Sequence, residues 1–167
     1  MRHRVIFTVT TAYTWVAMVA FGGVLVETAL LYPNIFRDPP ASLAESMGFF
    51  QVVGPGDVFR PLGMATVGLA VLAALVALWH RRARWWFLAS LLVLVVGEGL
   101  FSVLYFWPRN TIMFTEGLAV HSAEYLRQVA EEFVLAHYGR VALTAVTAAL
   151  AFTGLLAVHR TTGRPQP

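Results

Sequence analysis

The chain has 167 residues, 58% of them hydrophobic and 13% charged, and a mean hydropathy of +0.68; soluble domains are nearer ~45–50% apolar, so an ordinary water-soluble domain is excluded. The formal net charge of +3 and the pI near 9.8 come from arginine alone, since no lysine is present, and no basic patch is interleaved with stacking aromatics, which sets nucleic acid aside as a partner. Cysteine is absent, which removes disulfides, thiolate metal sites and cysteine nucleophiles together.

In chain order, four stretches are long enough to cross a hydrocarbon core, which takes ~20 helical residues: roughly Val5 to Tyr32, Pro61 to Trp79, Trp85 to Trp107, and Phe133 to Val158. The opening Met1-Arg2-His3-Arg4 and the apolar run after it imitate a secretory signal. That run extends well past the ~7–15 residues of a signal's apolar region, so it reads as a retained first span. Pro33 and then Asp38-Pro39-Pro40 predict the end of this helix, because proline lacks an amide and restricts the residue before it. Ser42-Leu43-Ala44-Glu45 has capping-box spacing and predicts a short amphipathic helix to about Val53 in the first outer loop. Its Met47, Phe49, Phe50, Val52 and Val53 are expected on the membrane surface or over the bundle mouth. Gly54-Pro55-Gly56 breaks it.

The second span is expected to open near Asp57, with Pro61 in its first turn. The short link His80-Arg81-Arg82-Ala83-Arg84 makes spans two and three antiparallel neighbours. Trp107-Pro108 predicts the end of the third span and a second outer loop from Arg109 to about His121. The polar stretch Ser122 to Glu132 is expected to run into the fourth span without a break, its first turns projecting beyond a ~30 Å hydrocarbon core.

Arg2, Arg4, Arg81, Arg82, Arg84, Arg160 and Arg164 flank the N-terminus, the middle link and the C-terminus, whereas Asp38, Glu45, Asp57, Glu116, Glu124, Glu131 and Glu132 lie on the other two loops. The positive-inside rule then puts both termini in the cytoplasm, in agreement with an even number of spans. Arginine-only basicity with abundant Ala, Val, Leu and Gly suggests GC-rich coding DNA, hence a multi-pass protein of a bacterial plasma (inner) membrane. Trp15, Trp79, Trp85, Trp86 and Trp107 are expected to anchor in the interface, and Gly22-Gly23, Gly63, Gly68, Ala145, Ala148 and Ala149 permit close helix approach. The lipid bilayer is the expected partner, and a homo-oligomer stays open.

Within these spans sit two carboxylates, Glu27 and Glu98. Charge at such depth costs roughly 2.5–3.5 kcal/mol for Asp on insertion scales, a penalty that usually marks function. The surroundings repeat. Glu27 precedes Tyr32-Pro33-Asn34, then Arg60, then His80-Arg81; Glu98 precedes Tyr105-Phe106-Trp107-Pro108-Arg109-Asn110, then Arg140, then His159-Arg160. The expected fold is therefore all-α, a single four-transmembrane-helix bundle over residues 1–167, built as two tandem helical hairpins (5–80 and 85–160) related by a pseudo-two-fold.

Three readings of the charged positions remain open. Glu27 and Glu98 could form structural ion pairs with Arg60 and Arg140. They could handle protons, as carboxylates in a low-dielectric bundle can. With His137, one turn before Arg140, they could bind a metal suited to carboxylate and imidazole, although no local Glu-x-x-His or His-x-x-x-His pair accompanies them. No metal is assigned, and the cofactor is unknown. Asn34 and Asn110 follow prolines, where capping is the default role, yet their paired placement keeps substrate contact open. His121 is expected at the loop surface, and His3, His80 and His159 at the cytoplasmic face.

Tyr105-Phe106-Trp107-Pro108-Arg109-Asn110-Thr111-Ile112-Met113-Phe114, followed by His137-Tyr138-Gly139-Arg140 and an Ala-rich span, resembles the anthrone oxygenase-like family (the DUF1772 group). Gly22-Gly23, Glu27 and Tyr32-Pro33-Asn34 fit the same pattern. The resemblance implies a small four-helix membrane protein. Named relatives in fungal polyketide pathways are implicated in oxidising anthrones to anthraquinones with molecular oxygen. On it, Asn110 and Arg140 match the Pro-x-Asn and terminal Arg positions, while Phe133 stands where a tryptophan is expected. The resulting expectation is oxidation of a small hydrophobic, aromatic or quinone-like molecule in an outward-facing polar pocket. Glu98 would be the base, Glu27 its partner and Arg140 the stabiliser of a phenolate or enolate, with Asn110, Asn34, His137 and Arg60 contacting substrate. The alternative is a non-catalytic membrane subunit or a small proton-linked transporter.

Overall fold

In the computed structural model, which describes residues 2–160, the chain forms five helices: α1 (His3–Ile35), α2 (Ala41–Phe49), α3 (Pro55–Ala77), α4 (Arg84–Val120) and α5 (Ala123–His159). Arg164 lies outside the described residues. All except α2 are long and apolar enough to cross a membrane. Only 22–33% of the most apolar window of each is buried inside the molecule, so the remaining apolar surface needs a non-aqueous surrounding. The protein is an all-α bundle of four candidate membrane spans.

The spans run alternately up and down. The start of α1, the link between α3 and α4 and the end of α5 meet at one end, where the Phe7 and His159 rings lie 6.2 Å apart; α2 and the other two loops occupy the opposite end. At ~1.5 Å per residue, the 23 residues of α3 measure about 35 Å, enough for one hydrocarbon core. The 33 residues of α1 and the 37 of α4 and of α5 make helices longer than α3 by about 15–20 Å. Their excess forms a head at the loop end to which α3 contributes nothing.

Two apolar cores follow. Near the termini, all four spans meet around Tyr13, Ala17, Ala70, Ala73, Ala77, Phe87, Ala148 and Ala151, alanines letting the backbones approach closely. Gly154 serves the same contact, since a Cβ there would stand 2.8 Å from the Phe87 ring. At the loop end, α1, α2, α4 and α5 enclose an aromatic core of Tyr32, Ile35, Leu43, Phe106, Met113 and Phe133.

Neither proline expected to end a span does so. α1 continues through Pro33 to Ile35, and α4 through Pro108 to Val120, so Arg109 to Val120 is helical rather than an open loop. Each proline follows wide π-helical turns, Glu27–Leu31 before Pro33 and Val93–Leu100 with Ser102–Phe106 before Pro108, and so sits in the first turn of a fresh α-helical segment where its missing amide is harmless. The turn towards α5 comes instead near Gly117, whose φ of 50° suits glycine. Ser122 then caps α5, its hydroxyl accepting the Tyr125 amide, and the helix runs unbroken, as expected from Ser122 onward.

Two local expectations are corrected. The capping box at Ser42 does not form: α2 starts at Ala41, Ser42 Oγ accepts the Asp38 amide, and Glu45 pairs with Arg37. α3 opens at Pro55 rather than near Asp57, because the Asp57 carboxylate accepts the Gly54 amide and closes the turn earlier; Pro61 is inside the helix.

Candidate functional site

Between the two cores lies a polar layer. From α1 come Glu27, Thr28 and Tyr32, from α4 Glu98, and from α5 His137, Arg140, Thr144 and Thr147. Both glutamates fall in widened π-helical turns, a local geometry often found at functional sites.

His137 is fully buried and is the hub. Its Nδ1 lies 2.7 Å from Thr28 Oγ1, which in turn lies 2.7 Å from the Val24 carbonyl. A carbonyl can only accept, so the threonine proton goes to Val24 and Thr28 accepts from Nδ1–H. This tautomer turns the Nε2 lone pair towards Tyr32 OH at 3.2 Å and Arg140 Nη1 at 3.4 Å, both able to donate. Glu27 Oε2 stands 3.7 Å from the same nitrogen, and Tyr32 also faces Glu27. Three rings fix the imidazole: Tyr32 at 4.5 Å and Phe106 at 5.2 Å edge-on, and Phe133 stacked at 5.8 Å. Phe133 is therefore a wall of the site.

Glu98 approaches from the other side. Thr147 Oγ1 donates to its Oε1 at 2.6 Å, and the Thr147 carbonyl accepts Ser90 Oγ at 2.9 Å. Since Ser90 spends its proton on that carbonyl, Tyr13 OH donates to Ser90 Oγ, 2.6 Å away. A chain of buried hydroxyls thus ties Glu98 to the termini-end core.

Arg140 reaches from His137 Nε2, which Glu27 also approaches, to the cavity that Glu98 lines. Among the described residues, however, no carboxylate comes within 4.0 Å of it, and its Nε is buried without a hydrogen-bond partner. The guanidinium and Glu98 instead line a cavity of about 50 Å³, together with Phe59, Leu62, Gly63 and Thr66 of α3. Such a volume takes a water molecule or two, or the polar edge of a larger molecule. A second hollow of about 500 Å³ is an outward-facing furrow along α1 between Phe7 and Val16, without a charged lining residue.

Of the residues expected at the site, Glu27, Glu98, His137 and Arg140 converge on this layer. Arg60, Asn34 and Asn110 do not. Arg60 is exposed near the loop end of α3. Asn34 is exposed and donates to the Leu30 carbonyl at 2.7 Å, which is the capping role; Asn110 is exposed past Pro108. Among the described residues no three His, Asp or Glu side chains group as a metal site would, so the Glu27, Glu98 and His137 set is not gathered as ligands. Thr28, Thr147, Ser90 and Tyr13 join the network with no mark in the sequence, whereas Tyr32 belongs to the Tyr32-Pro33-Asn34 motif.

These features define an all-α membrane-type bundle in which buried Glu27 and His137 and half-buried Glu98 and Arg140 form a polar layer between two cores. Compared with family models, curated proteins and solved structures, the chain matches none.

Proposed function

We propose that the protein is a multi-pass protein of a plasma (inner) membrane, its termini cytoplasmic, that performs acid–base chemistry on a small hydrophobic molecule at the Glu98, Arg140 and His137 layer. Following the resemblance to anthrone oxygenase-like proteins, the reaction is oxidation of an aromatic or quinone-like substrate. Glu98 removes a proton from an activated methylene, and Arg140 stabilises the enolate or phenolate oxygen, since a fixed cation favours developing negative charge. Molecular oxygen then takes the electrons: a CH₂ group and O₂ become a carbonyl and water. Glu27, through Tyr32 and Nε2 of His137, supplies a second proton station.

The observation that carries this reading is Arg140, its Nε without a partner and, among the described residues, no carboxylate within ion-pair distance, lining one small, mostly apolar cavity together with Glu98. An ion pair built only for stability would close that gap. Purified protein should turn over an anthrone with oxygen uptake, and Glu98→Gln should abolish it; unchanged turnover would reject Glu98 as the base.

The second reading, a small proton-linked transporter or non-catalytic subunit, is favoured by the small volume of the cavity. Proton flux in proteoliposomes without oxygen consumption would select it.

A further inference from the structure

The contacts of α3 change along its length. From Thr66 onward it buries Thr66, Ala70, Ala73, Ala74 and Ala77 against the bundle, whereas no residue from Pro55 to Ala65 is buried. Its contact with α4 fades at the same level. α3 packs on the first turns of α4, Arg84–Leu92, while the following stretch, Val93–Leu100, which carries Glu98, packs on α5. Gly97 makes that second contact close, since a Cβ there would meet Leu143 at 3.0 Å. The seam between α3 and α4 is therefore sealed near the termini and relaxed beside Glu98.

At the relaxed part, Phe59, Leu62 and Gly63 of α3 line the cavity that reaches Glu98 and Arg140. Phe59 lies against Gly23 of α1, its ring 3.0 Å from where a Cβ would stand. Gly63 is exposed, and a side chain there would meet nothing within 4 Å. Around this mouth the outward-facing side chains are apolar, among them Met64, Val95, Val96 and Leu100, each at least 44% exposed. A surface of that kind faces hydrocarbon, not water.

We propose that the seam between the loop-end half of α3 and the Val93–Leu100 stretch of α4 is a lateral portal, through which a lipophilic molecule dissolved in the bilayer presents its polar edge to Glu98 and Arg140. The proposal deepens the reading of the site given above and rests on it for the chemistry, but not for the access. It names the substrate class by physical form: a flat or chain-like apolar body with one hydroxyl or carbonyl edge, arriving from the membrane. Phe59 is the movable plug, because it lines the cavity from a helix half in which no residue is buried.

Carbodiimides test access without turnover, since they add covalently to a carboxyl group. Protein in lipid nanodiscs is treated with dicyclohexylcarbodiimide, which partitions into lipid, or with a water-soluble carbodiimide, and modification of Glu98 is read by peptide mass spectrometry. The lipid-soluble reagent should modify Glu98 and the water-soluble one should not. Gly63→Trp, which fills the mouth where a side chain has room, should slow the modification by about tenfold or more, roughly 1.4 kcal/mol of barrier. Gly68→Trp, equally free of neighbours but outside the cavity lining, should not slow it. Faster modification by the water-soluble reagent, or equal rates for the two tryptophan variants, would overturn the portal. Full turnover in Glu98→Gln, beside seam-dependent labelling of Glu98 in the parent protein, would instead remove the catalytic role and leave the portal standing.

Discussion

The two cores solve one problem in opposite ways. Near the termini, four helices come together over alanines and Gly154, and close backbone approach does the sealing. At the loop end three long helices and α2 are held apart by interlocking rings, Tyr32, Phe36, Phe106 and Phe133, with α3 missing. The polar layer, with its cavity beside Glu98 and Arg140, sits where one mode gives way to the other. A tight alanine seal confines charge, and an aromatic head can move without breaking it.

The strongest way to break this comparison is Phe133→Ala. Its ring meets Tyr32, Phe36, Phe106 and His137, so its loss should destabilise by ~3–5 kcal/mol. Hydrogen exchange should accelerate in α2 and around Tyr32 while amides near Ala73 and Ala151 stay protected; uniform acceleration would mean that the two cores are one unit. Gly154→Ala strikes the other core, forcing a Cβ to 2.8 Å from the Phe87 ring, and should cost ~1–3 kcal/mol by denaturant titration in detergent. Its effect should spare the head. Tyr13→Phe removes the donor to Ser90 and should cost ~0.5–1.5 kcal/mol in the same titration. Gly63→Ala, which meets nothing, should stay within ~0.5 kcal/mol of the parent.

What was legible in the sequence follows from what each residue disturbs. Glu27, Glu98, His137 and Arg140 stand out because a charged or imidazole group inside an apolar run is an anomaly at any helical register. The hydroxyls carry no such mark. Thr10, Thr28, Thr66 and Thr153 all bond to the carbonyl one turn back, the ordinary habit of threonine in helices, and nothing local distinguishes Thr28 and Thr147, which also reach His137 and Glu98. Arg60, Asn34 and Asn110 were singled out by analogy between the halves, and analogy of spacing does not settle burial. The four spans were readable from apolar length. The end of α4 was not, because Pro108 is absorbed after widened turns and the helix runs on to Val120.

The claim on which the functional account depends is that Glu98 removes a carbon-bound proton beside Arg140. Exchange of an anthrone's methylene protons into D₂O under anaerobic conditions isolates that step from oxidation. The account predicts exchange accelerated by the parent protein above the spontaneous rate, and reduced to the spontaneous rate by Glu98→Gln. Equal acceleration by both proteins would contradict it.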